Sequence, residues 1–318
     1  MTLPDEVEAL STALTNDLKK VWEAIQTELT TLEDLPSASA AREHKLLRIE
    51  TQIRELLAQA DDIAAQHILN ALEGAFTFGA LTTYAMAGVI VESIPIGAVV
   101  ALARDTMQDI LAATKYVDET TKTLLRAIAR DEILNHVTIG QTPQQTAKHI
   151  RDLMAEHQVH AVTYKNGAKH GLGSYAEMLV RTKTAEAYTA GTLTAAEELE
   201  IGFWEVLDGP GCGWLSHDDP VKADGLIVTT QEAREHPIAH PNCRRDMVAR
   251  IDIETLDDIA EAGRLPDDVW EGSREVALQQ WGNVKTTSET VGDTVRSRIE
   301  QLSPAEAEHR RLIQAKAS

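Results

Sequence analysis

The chain has 318 residues, of which 43% are apolar and only 4% aromatic, and its formal net charge is −20 at pH 7. That length suffices for one large domain or two modest ones, and a composition dominated by Ala, Leu, Glu and Thr indicates a mainly helical protein. The negative charge disfavours a broad nucleic-acid-binding face. Two cysteines in so long a chain exclude a disulfide scaffold and favour a reducing compartment.

The N-terminal part is predicted to be helical. Its first residues are acidic and lack the basic stretch of a signal peptide, so no signal peptide is expected. Apolar residues recur at three- and four-residue steps over residues 3–32. A second apolar stripe covers residues 46–63, after a break at Pro36. Two long helices joined by a short polar turn predict an antiparallel hairpin, which either packs within this chain or docks onto a partner's helices.

A third helical block is predicted over residues 65–137, with a break at residues 93–97. It contains the most apolar part of the chain, residues 74–103. The longest uncharged run there has 18 residues, and Glu92 and Pro95 then interrupt it. A membrane-spanning helix needs about 20 mostly apolar residues, and a central carboxylate is costly there. A buried helical hairpin is therefore favoured over a membrane span.

Short strands appear in the second half of the chain. A helix is predicted over residues 143–156, because Thr142 and Pro143 are typical of a helix start. Alternating apolar residues predict strands at residues 159–164, 203–207, 226–228 and 246–253.

Another helix is expected from Ser174 to about Gly191. Ser174 and Glu177 have the spacing of a capping box at its start. Arg181 lies close to the predicted buried side of this helix and needs a carboxylate or carbonyl partner. A structural ion pair is the favoured role for Arg181, with a substrate clamp as the alternative.

The predicted fold class is α+β. A long N-terminal helical region (residues 1–140) precedes a small mixed α+β domain (residues 141–253). A polar helical extension (residues 254–318) follows, with Trp270 and Trp281 as isolated apolar anchors.

Both cysteines lie in one 32-residue window, each beside a histidine and turn-forming residues. The window offers two sulfurs and two imidazoles, the ligand types of a structural zinc site, from Cys212, His217, His240 and Cys243. The spacing is Cys-x4-His, then 22 residues, then His-x2-Cys. The additional ligand candidates are His236 and, for a harder metal, Asp218, Asp219 and Asp224.

Other roles are open for the same residues. Without a metal, Cys212 and Cys243 are small buried groups near turns, and the histidines bond to backbone and hold the loops. A disulfide between them is geometrically allowed but disfavoured in a reducing compartment. Arg244 and Arg245 either lower the pKa of Cys243 in a nucleophilic Cys–His pair or form ion pairs. The carboxylates considered for those ion pairs are Asp246, Asp218 and Asp219.

Catalytic motifs are not found. The sequence has no HExxH, no GxSxG and no P-loop, so an enzyme is not expected. The competing hypothesis is a metal-dependent hydrolase or nuclease that uses His217, Asp218, Asp219 and His240 around a metal. A third hypothesis is a membrane-active ejection protein, based on residues 74–103.

The order of short motifs resembles a known family. A Tyr-x-Asn-Gly turn at residues 164–167 precedes Ser-Tyr-x-Glu-Met-Leu-x-Arg-Thr at residues 174–182. A cysteine-bearing turn, Asp-Gly-Leu-Ile at residues 224–227 and His-Pro-Asn-Cys-Arg at residues 240–244 follow. In these motifs residues 142–253 resemble the tailed-phage minor capsid proteins related to the Mu F-like head morphogenesis proteins.

The resemblance is incomplete at the sulfur positions. Many relatives carry Cys-x2-Cys in the first turn, whereas this chain has a single Cys212 there, with His217 as the nearest replacement. Many relatives close with Cys-Arg-Cys, whereas this chain has Cys243 followed by two arginines. Any metal site carried over from the family would therefore become a mixed Cys/His site.

The resemblance also implies a function and a location. It implies a virion structural protein that docks on the portal or major capsid protein during head assembly in the host cytoplasm. The protein would then reside at the portal vertex or capsid interior, in more than one copy, near packaged DNA. Participation in DNA packaging or ejection is implied as well.

Overall fold

The computed structural model confirms an α+β fold with long N-terminal helices and a small antiparallel sheet. It describes residues 5–34, 39–95, 97–138, 148, 152, 161–163, 169–240, 243, 245–260, 262–281 and 283–286, and every structural statement below concerns these residues. The helix predicted over residues 143–156 lies outside them, apart from two isolated positions.

The described residues form these helices and strands. The helices are α1 (Asp5–Thr30), α2 (Ser39–Met86), α3 (Gly97–Thr138), α4 (Leu172–Glu198), α5 (Thr230–Glu235) and α6 (Asp267–Trp281). The strands are β1 (Ser93–Ile94), β2 (Ala161–Thr163), β3 (Lys169–Gly171), β4 (Phe203–Leu207), β5 (Ile227–Thr229), β6 (Asp246–Ala249) and β7 (Lys285–Thr286).

Two compact units are distinguished, and each is described by itself. The first comprises Ala13–Gln66 and Gln108–Glu177, and the second comprises Met1–Thr12, His67–Met107 and Met178–Ser318, in both cases over the described residues. The domain boundaries predicted at residues 140 and 253 lie where the sequence pattern changes between helical and mixed α+β, and they stay predictions.

The first unit is mainly helical and also contains the short antiparallel pair β2–β3, and its helical core follows the predicted stripe. The buried positions of this stripe on α1 and the 3₁₀ turn after it are Leu14, Leu18, Val21, Ile25, Leu29 and Leu32. Thr27 of α1 and Gln52 of α2 line one groove, so these helices lie side by side. The Thr114 hydroxyl of α3 donates to the Asp61 carboxylate of α2 at 2.9 Å. The second predicted helix and the first part of the predicted block over residues 65–137 join into the single helix α2. The break predicted at residues 93–97 lies between α2 and α3.

The apolar segment within residues 74–103 is a buried helical stretch followed by a loop. All residues from 74 to 84 are buried on α2 in the second unit. Among the described helices, none is long and apolar enough to cross a membrane.

Two glycines allow α2 and α4 to approach closely in the second unit. A Cβ on Gly79 would lie 2.2 Å from the carbonyl oxygen of Tyr188, and a Cβ on Gly191 would lie 1.9 Å from that of Phe76. The prediction that the helix ends near Gly191 is therefore wrong. Gly191 serves helix packing, and α4 continues to Glu198.

The predicted capping box at the start of α4 is also wrong. The helix begins at Leu172, which places Ser174 inside the first turn. The Glu177 carboxylate instead pairs with Lys19 Nζ at 2.6 Å. Arg181 is exposed on α4, and its role as a structural ion pair stays a prediction.

The sheet supports the candidate site. Strand β4 lies between β5 and β6, and both pairings are antiparallel. Trp204 on β4 lies opposite Val228 and Ala249 and is fully buried. The core around this sheet comprises Leu193, Ala196, Trp204, Val206, Ala223, Val228, Ala233, Met247 and Ala249.

Strand β6 is shorter than predicted. It ends at Ala249, and the Ile253 N–H donates to the Arg250 carbonyl oxygen in a turn. All four residues of β6 are buried, so the apolar alternation does not separate a core face from a solvent face. A second missed feature is β3, which pairs antiparallel with the predicted strand at Ala161–Thr163.

Candidate metal centre

Two loops beside the sheet carry the cysteines. We call residues 208–222 the first cysteine loop and residues 236–245 the second cysteine loop. In the first, the Cys212 N–H donates to the Gly209 carbonyl oxygen at 2.9 Å, and the Cys212 carbonyl accepts from Ala223 N–H at 3.1 Å. Gly213 is required sterically, because a Cβ there would lie 2.4 Å from the Ser216 carbonyl oxygen. These backbone hydrogen bonds tie Cys212 to Gly209 and to Ala223, which is buried in the core, and so fix the position of Cys212.

Asp219 holds the far side of the first cysteine loop. Its carboxylate accepts from Leu215 N–H and Val221 N–H, each at 2.9 Å. The backbone hydrogen bonds from Val221 and then Leu215 lower the pKa of Asp219. This carboxylate is therefore committed to loop structure.

The second cysteine loop begins at the end of α5. A capping box of Thr229 and Glu232 starts this helix, with both reciprocal bonds present. The hydrogen bond from Thr229 N–H and then that from the Thr229 hydroxyl lower the pKa of Glu232. After the helix, the Cys243 N–H donates to the His240 carbonyl oxygen at 3.0 Å. Pro241, Asn242 and Arg244 lie outside the described residues.

Cys212 links the four predicted zinc ligands, because both histidines and Cys243 lie near it in two separate groups. Cys212 Sγ lies 3.3 Å from His240 Nε2 and 4.0 Å from Cys243 Sγ. The rings of His217 and His240 meet edge to face with centroids 5.0 Å apart. We call these four residues the Cys/His cluster.

Two separations in the Cys/His cluster, from Cys212 Sγ to His240 Nε2 and to Cys243 Sγ, are close to those of a tetrahedral metal site. Zinc–sulfur and zinc–nitrogen bonds of about 2.3 and 2.1 Å place two sulfurs roughly 3.8 Å apart and a sulfur and a nitrogen roughly 3.5 Å apart. Ligand atoms within 4.8 Å of one another form two groups that share Cys212. One group adds His217 and His240, and the other adds Cys243 and Asp208.

Both cysteines are free and buried. Burial first, and then the neighbouring Asp208 and Cys243, raise the pKa of Cys212 to about 12. A thiol that is protonated at neutral pH is a poor nucleophile. A bound cation would favour the thiolate instead.

The predicted oxygen ligands serve other purposes. Among the described residues, Asp218, Asp219 and Asp224 belong to neither ligand group. Asp218 is exposed. Asp224 pairs with Arg264 at 3.1 Å and accepts the Asp208 N–H at 3.2 Å. The spare candidate His236 stacks its ring edge to face on Trp214, with centroids 5.3 Å apart.

Arg245 has a partner that the sequence analysis missed. The prediction paired it with Asp246, Asp218 or Asp219. Its Nε instead donates to Asp208 Oδ2 at 3.1 Å, and both side chains are at most 2% exposed. Asp208 directly follows β4 and precedes Gly-Pro-Gly. A carboxylate at the end of a strand and before a tight turn is the sequence feature that could have indicated this partner.

Fold and site together define an α+β protein in which a Cys/His cluster joins two loops at one end of a small antiparallel sheet. Compared with protein-family models, curated proteins and solved structures, the chain matches none of them.

Proposed function

We propose that this chain is a phage virion structural protein, a minor capsid or head morphogenesis component. It docks on the portal or major capsid protein during head assembly and functions through binding, without turnover. The observation that carries the proposal is the ordered set of motifs from residue 164 to residue 244, which resembles the Mu F-like minor capsid proteins.

The chemistry of the site supports a structural role. Cys212 and Cys243 are 5% and 7% exposed, and burial raises the pKa of the Cys212 thiol. The nearby Asp219 carboxylate already accepts two backbone N–H groups of its own loop. A hydrolytic site needs an accessible metal position and a free general base. These features favour a stable module over an active site.

The location of the protein tests this proposal. We expect peptides of this chain in purified virions and in proheads, measured by quantitative mass spectrometry, at a low and constant ratio to the major capsid protein. Host proteins of similar abundance in the lysate are the control for carry-over. Absence from both particles, with the protein present in the lysate, would contradict the proposal.

Within this role, we propose that the Cys/His cluster binds one zinc ion. The proposed ligands are Cys212, His217, His240 and Cys243. Bonds from one zinc ion to these residues would cross-link the two cysteine loops. Cys212 Sγ lies 3.3 Å from His240 Nε2 and 4.0 Å from Cys243 Sγ, which supports this assignment.

Elemental analysis tests the zinc proposal. We expect about one zinc per chain in protein purified without chelator, and loss of zinc in Cys212→Ser and His240→Ala. His236→Ala is the matched control, because this histidine lies in the same loop but outside both ligand groups. Equal zinc content in all four proteins would reject the assignment.

The same proteins separate the structural role from a hydrolase or nuclease. A structural site predicts that zinc raises the thermal unfolding midpoint and that DNA is not cleaved. Metal-dependent cleavage of DNA that His240→Ala abolishes and His236→Ala retains would favour the enzyme instead.

A further inference from the structure

We infer that Arg245 is a positioning residue that assembles the Cys/His cluster before a metal binds. The inference rests on the proposed zinc site only where it concerns the metal-bound protein. Its central claim concerns the metal-free protein.

The guanidinium of Arg245 connects the two cysteine loops. Its Nη2 donates to the carbonyl oxygens of Gly213 at 2.8 Å and Trp214 at 3.0 Å, both in the first cysteine loop. Its Nη1 donates to the His236 carbonyl oxygen at 3.0 Å, in the second cysteine loop. Gly213 directly follows the ligand Cys212, so these bonds fix the backbone beside a ligand.

Packing holds the guanidinium in one orientation. The Arg245 side chain is 0% exposed, and its Cζ lies 4.6 Å from the centroid of the Trp214 ring. Trp214 itself packs against the core around the sheet. Because its donors are fixed by burial, stacking and three carbonyls, the separation of the two loops is set without a metal.

Asp208 completes the arrangement. Its Oδ2 accepts from Arg245 Nε at 3.1 Å and lies 3.7 Å from Cys243 Sγ. The arginine therefore neutralises the carboxylate that lies beside a sulfur ligand. A zinc ion with two thiolates carries no net charge, and the Asp208–Arg245 pair adds none, so the occupied cluster is electrically balanced.

Lysine cannot replace this arginine. An ammonium group at position 245 keeps the positive charge opposite Asp208 but donates from a single nitrogen. It cannot reach carbonyl oxygens in both loops. Arg245→Lys therefore separates the positioning role from the charge.

Arg250 offers a matched control. It is also a buried arginine next to the sheet, 2% exposed, with Nη1 3.0 Å from Glu205 Oε2 and Nη2 2.6 Å from Asp252 Oδ2. Its carboxylate partners belong to β4 and the turn after β6, outside the cysteine loops. Arg250→Lys thus tests the general cost of changing a buried arginine.

Thiol labelling of the chelator-treated protein tests the inference. We expect Arg245→Lys to raise the rate at which Cys212 and Cys243 react with a maleimide by tenfold or more. Arg250→Lys should change it less than threefold at the same fraction folded. An unchanged rate in Arg245→Lys, or an equal rise in both variants, would overturn the inference.

Cobalt provides the spectroscopic arm. Wild type and Arg250→Lys should give the intense visible bands of tetrahedral Co²⁺ with thiolate ligands, and Arg245→Lys should give weaker bands. If wild type labels slowly but gives no such bands, the zinc proposal fails, and the labelling comparison still decides the role of Arg245.

Hydrogen exchange of the wild type makes the inference testable if Arg245→Lys does not fold. We expect the amides of residues 212–214 to be protected to within tenfold in the chelator-treated and the Zn²⁺-saturated protein. Protection that appears only with Zn²⁺ would show that the metal, and not Arg245, assembles the loops.

Discussion

Asp246 is a carboxylate at the start of β6 that is 1% exposed. Burial raises its pKa, and the nearby Arg274 partly offsets this effect from 3.9 Å away. Arg274 is itself held between two rings, with its Cζ 4.4 Å from the Trp270 centroid and 5.5 Å from that of Phe78. The contacts of Arg274 with Asp246 and Phe78 attach α6 to the core, and the role of Trp270 as an anchor stays a prediction. The polar character of residues 254–318 concealed that an arginine would make this attachment.

The raised pKa of Asp246 predicts a pH effect on stability. The folded state holds this proton more tightly than the unfolded state, whose pKa is near 3.8. The contribution of Asp246 therefore becomes more favourable as pH falls from 7 through the folded pKa, and stops changing below about 3.8. Asp246→Asn should lack this contribution, because its amide does not titrate in this range. The measurement is urea unfolding of both proteins between pH 7 and pH 4, and the difference between them should change in that direction. A constant difference would contradict the prediction.

At the scale of elements, the helices show where periodicity is informative and where it is not. The apolar stripe of α1 predicts its buried side chains, because residues three or four apart lie on the same face of a helix and that face meets the core. Gly191 has no such signature. A glycine at a helix end and a glycine at a helix crossing are the same letter, and only the position of Phe76 distinguishes the two uses.

The crossing of α2 and α4 predicts the effect of a single methyl group. Gly191→Ala should lower the free energy of unfolding by about 1–3 kcal/mol, because the new Cβ must displace backbone at Phe76. Gly202→Ala is the control, since a Cβ there meets no atom within 4 Å. Both variants are compared by urea denaturation. Equal stability of Gly191→Ala and wild type would show that the helices separate at no cost.

At the scale of the whole molecule, the net charge of −20 and the α+β architecture place limits on function without selecting one. The charge favours protein partners over direct binding to DNA, since a phosphate backbone needs a basic surface. This agrees with a proposal in which the chain docks on portal or capsid proteins while DNA lies nearby.

The sequence by itself determined the helical N-terminal region and the strand at Phe203–Leu207. It also predicted the Cys/His cluster, which stays a prediction as a zinc site, with Cys212 near both histidines and near Cys243 in two separate groups. These follow from local rules: periodicity, alternation, and ligand types placed beside turns. The tertiary structure alone decided the continuity of α2 and the pairing of Arg245 with Asp208. The reason is physical. A buried arginine takes whatever acceptors surround it in space. Asp208 and Gly213 lie 37 and 32 residues from Arg245 along the chain, and they meet it only when the sheet and both loops have formed.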